Sequence, residues 1–176
     1  MKWEKNWIRG TQFEIWLEGL LSGMNISNLE RNVEFYQGEK IHRQIDLCYE
    51  ISTKKGTELV LVEAKYSMNG PITYELRDRK KKKQFDGRRS NPVYFDNLVD
   101  EIVERQDFVG GDYTCLVTNN RFEDKLKVKA EKAGIDIIDG KKLEEICNKD
   151  RRTIDKEIRS IKVKDYSIDP ITKYLR

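Results

Sequence analysis

The sequence predicts an α/β fold, a mixed central sheet flanked by helices. Two features carry that expectation. From Val93 onward the hydrophobic pattern alternates helix, strand, helix, strand, helix, which favours a sheet with helices on its faces and some parallel pairing. Before it, residues 41–51 and 58–66 are β-patterned runs separated by "STKKGTE", whose Gly56 and small polar residues signal a hairpin.

The elements follow in order. Residues 10–24 place Phe13, Trp16, Leu17, Leu20 and Leu21 at helical spacing, with Thr11 as the expected N-cap and Gly23 near the end. "RNVEFYQ" alternates Val33 and Phe35 with polar residues and reads as a strand. After the hairpin comes 67–92, bounded by breakers and very basic, whose middle reads as a helix without an apolar face. Val93–Phe108 reads as a helix through Phe95, Leu98, Val99, Ile102 and Val103, stopped by Gly110-Gly111. "YTCLVTN" is a short buried strand, "RFEDKLKVKAEKAG" an amphipathic helix ending at Gly134, "IDIID" a strand and "GKKLEEICNK" a short helix. We expect one domain over 1–150, with 67–92 as an insertion, and a polar C-terminal tail over 151–176.

Composition excludes several classes. In 176 residues, 34 basic side chains nearly balance 31 acidic ones, so the net charge of +3 says less than its distribution. Cys48, Cys115 and Cys147 form no CxxC or Cys/His cluster, which argues against a structural zinc or a disulfide framework. "MKWEKNWIRG" lacks the apolar core of a signal peptide, and no run approaches the roughly 18 apolar residues of a membrane span. The expectation is a soluble, cytoplasmic protein without membrane contact.

One strand ends unusually. "ELVLVEAK" closes a buried Leu-Val-Leu-Val run with Glu63 and Lys65, and Asp46 lies in the strand before it. A turn centred near Lys54 and Lys55 sets Asp46 opposite Glu63 or one residue off it, and alternation puts Glu63 and Lys65 on one face. Ile45, Leu47, Tyr49, Val60, Val62 and Ala64 are then expected on the opposite, core face. Opposed carboxylates repel unless a cation lies between them, and oxygen-only ligands suit Mg²⁺ or Mn²⁺. Such an ion polarises a phosphoryl oxygen and generates a hydroxide, while a lysine positions or deprotonates the water or stabilises charge on phosphorus. The implied chemistry is metal-assisted phosphodiester hydrolysis. The same residues also suit the solvated end of a strand in which Asp46 pairs with Lys65. The buried run before Glu63 and the paired position of Asp46 favour the site.

Asp46…Glu63-Ala64-Lys65 resembles the signature of the PD-(D/E)xK nuclease superfamily, the restriction-endonuclease-like fold, with Ile45 where the naming proline stands. "GTQFEIWLEGLLSGM" resembles the first helix of Mrr-like restriction endonucleases and archaeal Holliday junction resolvases, which carry a Glu at the position of Glu14. "YTCLVTNNRFEDKLKVKAEKAGIDIIDGKKLEEI" resembles the Mrr-like C-terminal half. The resemblance covers about residues 10–147. It implies a four- or five-stranded mixed sheet and a divalent-metal site using Asp46, Glu63, the Ala64 carbonyl and Lys65, with Glu14 as a further acid. It implies a Mg²⁺- or Mn²⁺-dependent deoxyribonuclease, endonucleolytic rather than exonucleolytic. The alternatives are a Holliday junction resolvase or an inactive nucleic-acid-binding module on the same fold. No segment resembles the Mrr-like DNA-recognition module, so a recognition subunit on another chain is a possible partner. Paired cutting would need a homodimer.

Residues 77–89 hold the second signal. Arg77, Arg79, Lys80, Lys81, Lys82, Lys83, Arg88 and Arg89 stand against two Asp, a phosphate-binding footprint with Tyr74 and Phe85 able to stack on bases. Gln84, in the same run, is a candidate DNA contact reaching the site. Gln44 shares the face of Asp46 and is a possible supporting residue; His42, the one histidine, reads as structural.

Overall fold

The computed structural model describes residues 2–39, 41–76, 82–83, 94–164 and 168–175. Helix α1 (Lys2–Ser22) leads into a meander of β1 (Ser27–Gln37), β2 (Ile41–Thr53) and β3 (Gly56–Lys65). Short strands β4 (Lys82–Lys83) and β5 (Tyr94–Phe95) pair with each other. Then come α2 (Leu98–Val109), β6 (Tyr113–Thr118), α3 (Asp124–Lys132), β7 (Asp136–Ile138), α4 (Gly140–Cys147), α5 (Arg151–Ser160) and β8 (Ile171–Tyr174). The main sheet has six strands in the order β7-β6-β3-β2-β1-β8. β1–β2 and β2–β3 are antiparallel, whereas β3–β6, β6–β7 and β1–β8 are parallel.

The sheet is covered on both faces. Phe13 and Leu17 of α1, Leu143 of α4 and Ile154 and Ile158 of α5 pack against Leu47, Val62 and Val117. On the other face α2 and α3 bring Leu98, Ile102, Leu126 and Ala130 onto Leu116 and Ile135, and Val109 onto Val33, Phe35, Ile45, Cys48 and Leu61. Parallel strands buried on both faces read as continuous apolar runs, which explains Leu59-Val60-Leu61-Val62.

Several expectations need correction. Helix α1 starts nine residues before Thr11, which is buried within it rather than capping it, because nothing from Lys2 to Arg9 breaks a helix and Gly10 is tolerated. Helix α2 begins at Leu98, where the Asn97 side chain accepts from the Asp100 N–H at 2.9 Å; Phe95 belongs to β5. The described part of 67–92 is not helical: Ile72 bridges to Phe122 and Glu75 to Asn97. Residues 151–160 and 171–174 are part of the packed fold instead of a polar tail. Ile154 and Ile158 supply the two apolar positions that α5 needs to bury one stripe, and β8 makes the sheet six-stranded rather than four- or five-stranded.

Ile45 is also misplaced by simple alternation. It packs on the α2 face, although Leu47 packs on the α1 face. The side-chain phase slips between them. Opposite, Asn32 adopts φ +55°, and the pairing of β1 with β2 skips the Asn32–Asp46 step between Val33–Ile45 and Arg31–Leu47. A positive φ at one residue re-aims the side chains on either side of it.

Candidate active site at the end of strand β3

The expected register holds: Leu47 pairs with Val62, so the next step sets Asp46 across from Glu63. The ladder stops there, and the Asp46 carboxylate turns to the neighbouring backbone, where Oδ2 accepts the Ala64 N–H at 2.8 Å. Glu63 and Lys65 share a face and form an ion pair, Lys65 Nζ donating to Glu63 Oε1.

That face carries a partner the sequence reading missed. Arg105 of α2 donates Nη1 to Glu63 Oε2 at 2.6 Å and lies 2.8 Å, through Nη2, from Oε1 of Glu101. A chain of alternating charge thus runs Lys65–Glu63–Arg105–Glu101, with Glu63 only 3% and Glu101 only 1% exposed. A signal was present: Leu98, Ile102 and Val109 mark the buried stripe of α2, and Glu101 and Arg105, four apart, fall on it. Charged residues on a core stripe need partners.

Glu14 reaches the cluster from the middle of α1. Arg31 of β1 holds it at 3.7 Å and donates to Glu18, one helical turn on, at 3.1 Å. Burial is the first cause pushing the Glu14 carboxyl up to about 8, and the Asp46 charge adds to it. Asp46 is pushed up to about 6, again by burial and then by Glu63. Glu63 goes the other way. Burial alone would raise it, but Arg105 and Lys65 together hold it down to about 2. Lys65 is raised above the ordinary lysine value: burial opposes its charge, and Glu63 and Asp46 more than offset that. Lys65 is therefore a firm cation.

The four acids and bases expected at the site are brought together, and each meets a different environment. Glu14 has Arg31 at 3.7 Å and Asp46 feels Lys65 and Arg105, but burial outweighs them at both; Glu63 has two cations in direct contact. Among the described residues no three His, Cys, Asp or Glu side chains stand as a ready metal-holding group. The donor chemistry still fits a hard divalent cation, being carboxylate oxygens and the Ala64 carbonyl, with Glu14 and Asp46 both raised by burial first and by neighbouring carboxylates next.

The remaining candidates scatter. Gln44 donates to Asn32 Oδ1 at 2.5 Å on the α1 side of the sheet. His42 is buried, stacked on Tyr36 with ring centroids 4.8 Å apart and 3.7 Å from Glu34. Of the basic run, Lys82 and Lys83 form β4; Arg77, Arg79, Lys80, Lys81, Gln84, Arg88 and Arg89, and Phe85 with them, lie outside the described residues. Tyr74 is covered by Lys125, whose Nζ lies 4.8 Å from the ring centroid.

No protein-family model matches the chain, and no curated protein matches it. Among solved structures, a protein of unknown function, AF1548, superposes with a TM-score of 0.53 at 16% identity, covering 89% of this chain and 73% of that one. Protein VC1899 from Vibrio cholerae gives a TM-score of 0.47 at 15% identity over 84% of this chain and 32% of that one. The MspJI restriction endonuclease in complex with a 27-mer oligonucleotide gives 0.43 at 13% over 94% and 34%. The chain spans about a third of the length of the last two. The architecture is a six-stranded mixed sheet between helices, and the likeness to AF1548 is one of fold.

Proposed function

We propose that this chain is a divalent-metal-dependent DNA nuclease whose site is Asp46, Glu63, Lys65 and Glu14. The observation that carries the reading is the meeting of these four at the end of β3, with Glu14 and Asp46 buried beside a fixed lysine cation. Asp46, Glu63 and the Ala64 carbonyl would hold Mg²⁺ or Mn²⁺, with Glu14 as a neighbouring acid. When bound, the ion supplies a polarised phosphoryl oxygen and an acidified water. The chain's own residues do the rest. Lys65, kept charged by Glu63 and Asp46, positions the water and stabilises negative charge on the phosphorus oxygens rather than taking a proton. Asp46, with its pKa near 6, is ready to lose a proton when a cation arrives. Arg105 fixes the Glu63 carboxylate from behind.

One site cuts one strand, so paired cutting of a duplex or junction requires two copies. The test is cleavage of linear duplex, single-stranded, supercoiled and four-way-junction DNA with Mg²⁺ or Mn²⁺. Asp46→Ala and Lys65→Ala should each lower the rate on the order of a hundredfold or more, and EDTA should abolish it. A preference for junctions would select the resolvase role.

One observation favours a second reading, a binding module without activity: Glu63 is already neutralised by Lys65 and Arg105. Salt-sensitive DNA binding with no cleavage under any metal would select that reading.

A further inference from the structure

A cleft of about 310 Å³ opens on the α1 side of the sheet, directly beside the acids. Its lining includes Trp7, Gly10 and Glu14 of α1, Arg31 and Asn32 of β1, and Gln44 of β2. Three features mark it as more than a surface groove. Trp7 is 53% exposed, an aromatic face left in solvent at a polar cleft. Gly10 sits in a helix interior, where glycine is disfavoured, yet a Cβ there would meet nothing within 4 Å. Neither packing nor backbone angle demands glycine; what its absent side chain does is leave the cleft wall open. Gln44 is the third. It is exposed, and its amide is pinned at one end by donating to Asn32 Oδ1, which is itself held because Asn32 Nδ2 donates to the Ile168 carbonyl at 2.6 Å. Among the described residues, the Gln44 carbonyl oxygen and its second amide hydrogen have no partner. An oriented amide with a free donor and acceptor is the group that reads a base edge.

We infer that this cleft binds one unpaired nucleotide of a DNA strand, its base stacked on Trp7 and read by Gln44. The inference rests on the nuclease reading for its substrate class. The volume is at the lower end of small-molecule sites and suits a single base with its sugar. A base can enter only from a single strand or after leaving the helical stack. Arg31, on the cleft wall and already ion-paired with Glu14 and Glu18, is the cation that a phosphate there would share. Because Glu14 lines the cleft and also borders Asp46, the phosphate of the bound nucleotide adjoins the proposed metal site. The substrate is then a strand with unpaired bases at the cut, in preference to a fully paired duplex.

The test uses the full chain in EDTA, so that binding is read without cleavage. The probe is an oligonucleotide carrying 2-aminopurine, single-stranded, unpaired within a duplex, or fully paired. Wild type should quench the probe in the first two forms and not in the third. Trp7→Ala should weaken single-strand binding about tenfold, the size of one lost stack. Gly10→Leu should fill the cleft and weaken binding at least as much, with a melting temperature no lower than wild type, because leucine favours the helix. Unchanged affinity in both variants, or quenching in the fully paired duplex equal to that in the single strand, overturns the inference. The two readings separate cleanly. Cleavage in Mg²⁺ without quenching in EDTA removes the subsite and keeps the nuclease; quenching without cleavage keeps the subsite and removes the nuclease.

Discussion

Glu14 and Asp46 make the protein's stability depend on pH in a definite direction. Both carboxyls have folded-state pKa values above their ordinary ones, about 8 and about 6, so the folded chain holds protons that the unfolded chain has released. Their contribution is present at low pH and is lost as pH rises from about 4 through those values. Glu63, held to about 2, contributes above its ordinary value and is lost as pH falls below it. Metal-free protein should therefore be most stable near pH 5 and lose roughly several degrees of melting temperature by pH 8. Scanning calorimetry across that range checks this, and Glu14→Gln should flatten the decline. If the proposed site takes Mg²⁺, the same charges predict an affinity that rises over pH 5–8, with proton release on binding, readable by calorimetry in two buffers. Arg105 is the other residue-scale test. Arg105→Met leaves Glu63 buried with one cation and should destabilise by about 3–5 kcal/mol in urea, while Arg105→Lys should recover part of that. A variant as stable as wild type would mean the pair is not the support proposed.

At the scale of elements, the site depends on where α1, α2 and the β2–β3 fork stop. The Asn97 cap starts α2 at Leu98 and Gly110, at φ 74°, ends it; between them Arg105 lands on Glu63. Asn97→Ala should cost about 1 kcal/mol in chemical denaturation, the usual value of a lost cap. A tighter constraint sits at the start of α4. A Cβ on Gly140 would lie 2.5 Å from the Asn119 carbonyl oxygen and 2.9 Å from that of Asn120, both backbone atoms at the end of β6. Gly140→Ala should destabilise by roughly 2 kcal/mol or more, since neither carbonyl can move without shifting the strand; a neutral effect would show that α4 slides freely. The phase slip at Asn32 and Asp46 belongs to this scale too. It turns Arg31 and Asn32 both toward α1, so that the cleft and Glu14 share one wall.

For the whole molecule, the C-terminal helix is part of the core. Ile158 is fully buried beside Phe13 and Leu17, and Gln12 donates to the Ile161 carbonyl at 2.7 Å, tying α1 to the end of α5. Ile158→Ala should cost about 2–5 kcal/mol, as for other large-to-small changes in a core, measured by urea denaturation. A loss under 1 kcal/mol would mean that α5 is dispensable. Among the described residues no helix is long and apolar enough to cross a membrane.

The sequence by itself determined the local parts. The two-residue periodicity of β2 and β3, with Gly56 at their turn, fixed a register that set Asp46 across from Glu63, and the 3.6-residue period of residues 124–132 placed α3 correctly. Those signals are short-range, written in alternation and turn chemistry. Tertiary structure alone decided the rest. Arg105 lies 42 residues from Glu63, so no local pattern joins them, although the buried stripe of α2 hinted that the arginine needed a partner. The polar helix at 151–160 has only two buried isoleucines, too few to show in composition, and it folds because α1 and the sheet cover them. Ile45 and Leu47, two apart on β2, pack on opposite faces of the sheet, a phase slip across from the positive φ of Asn32 that strict alternation does not foresee. Burial then gave Glu14, Asp46 and Glu63 three different proton affinities, because a carboxylate's charge is governed by the groups that the fold places around it.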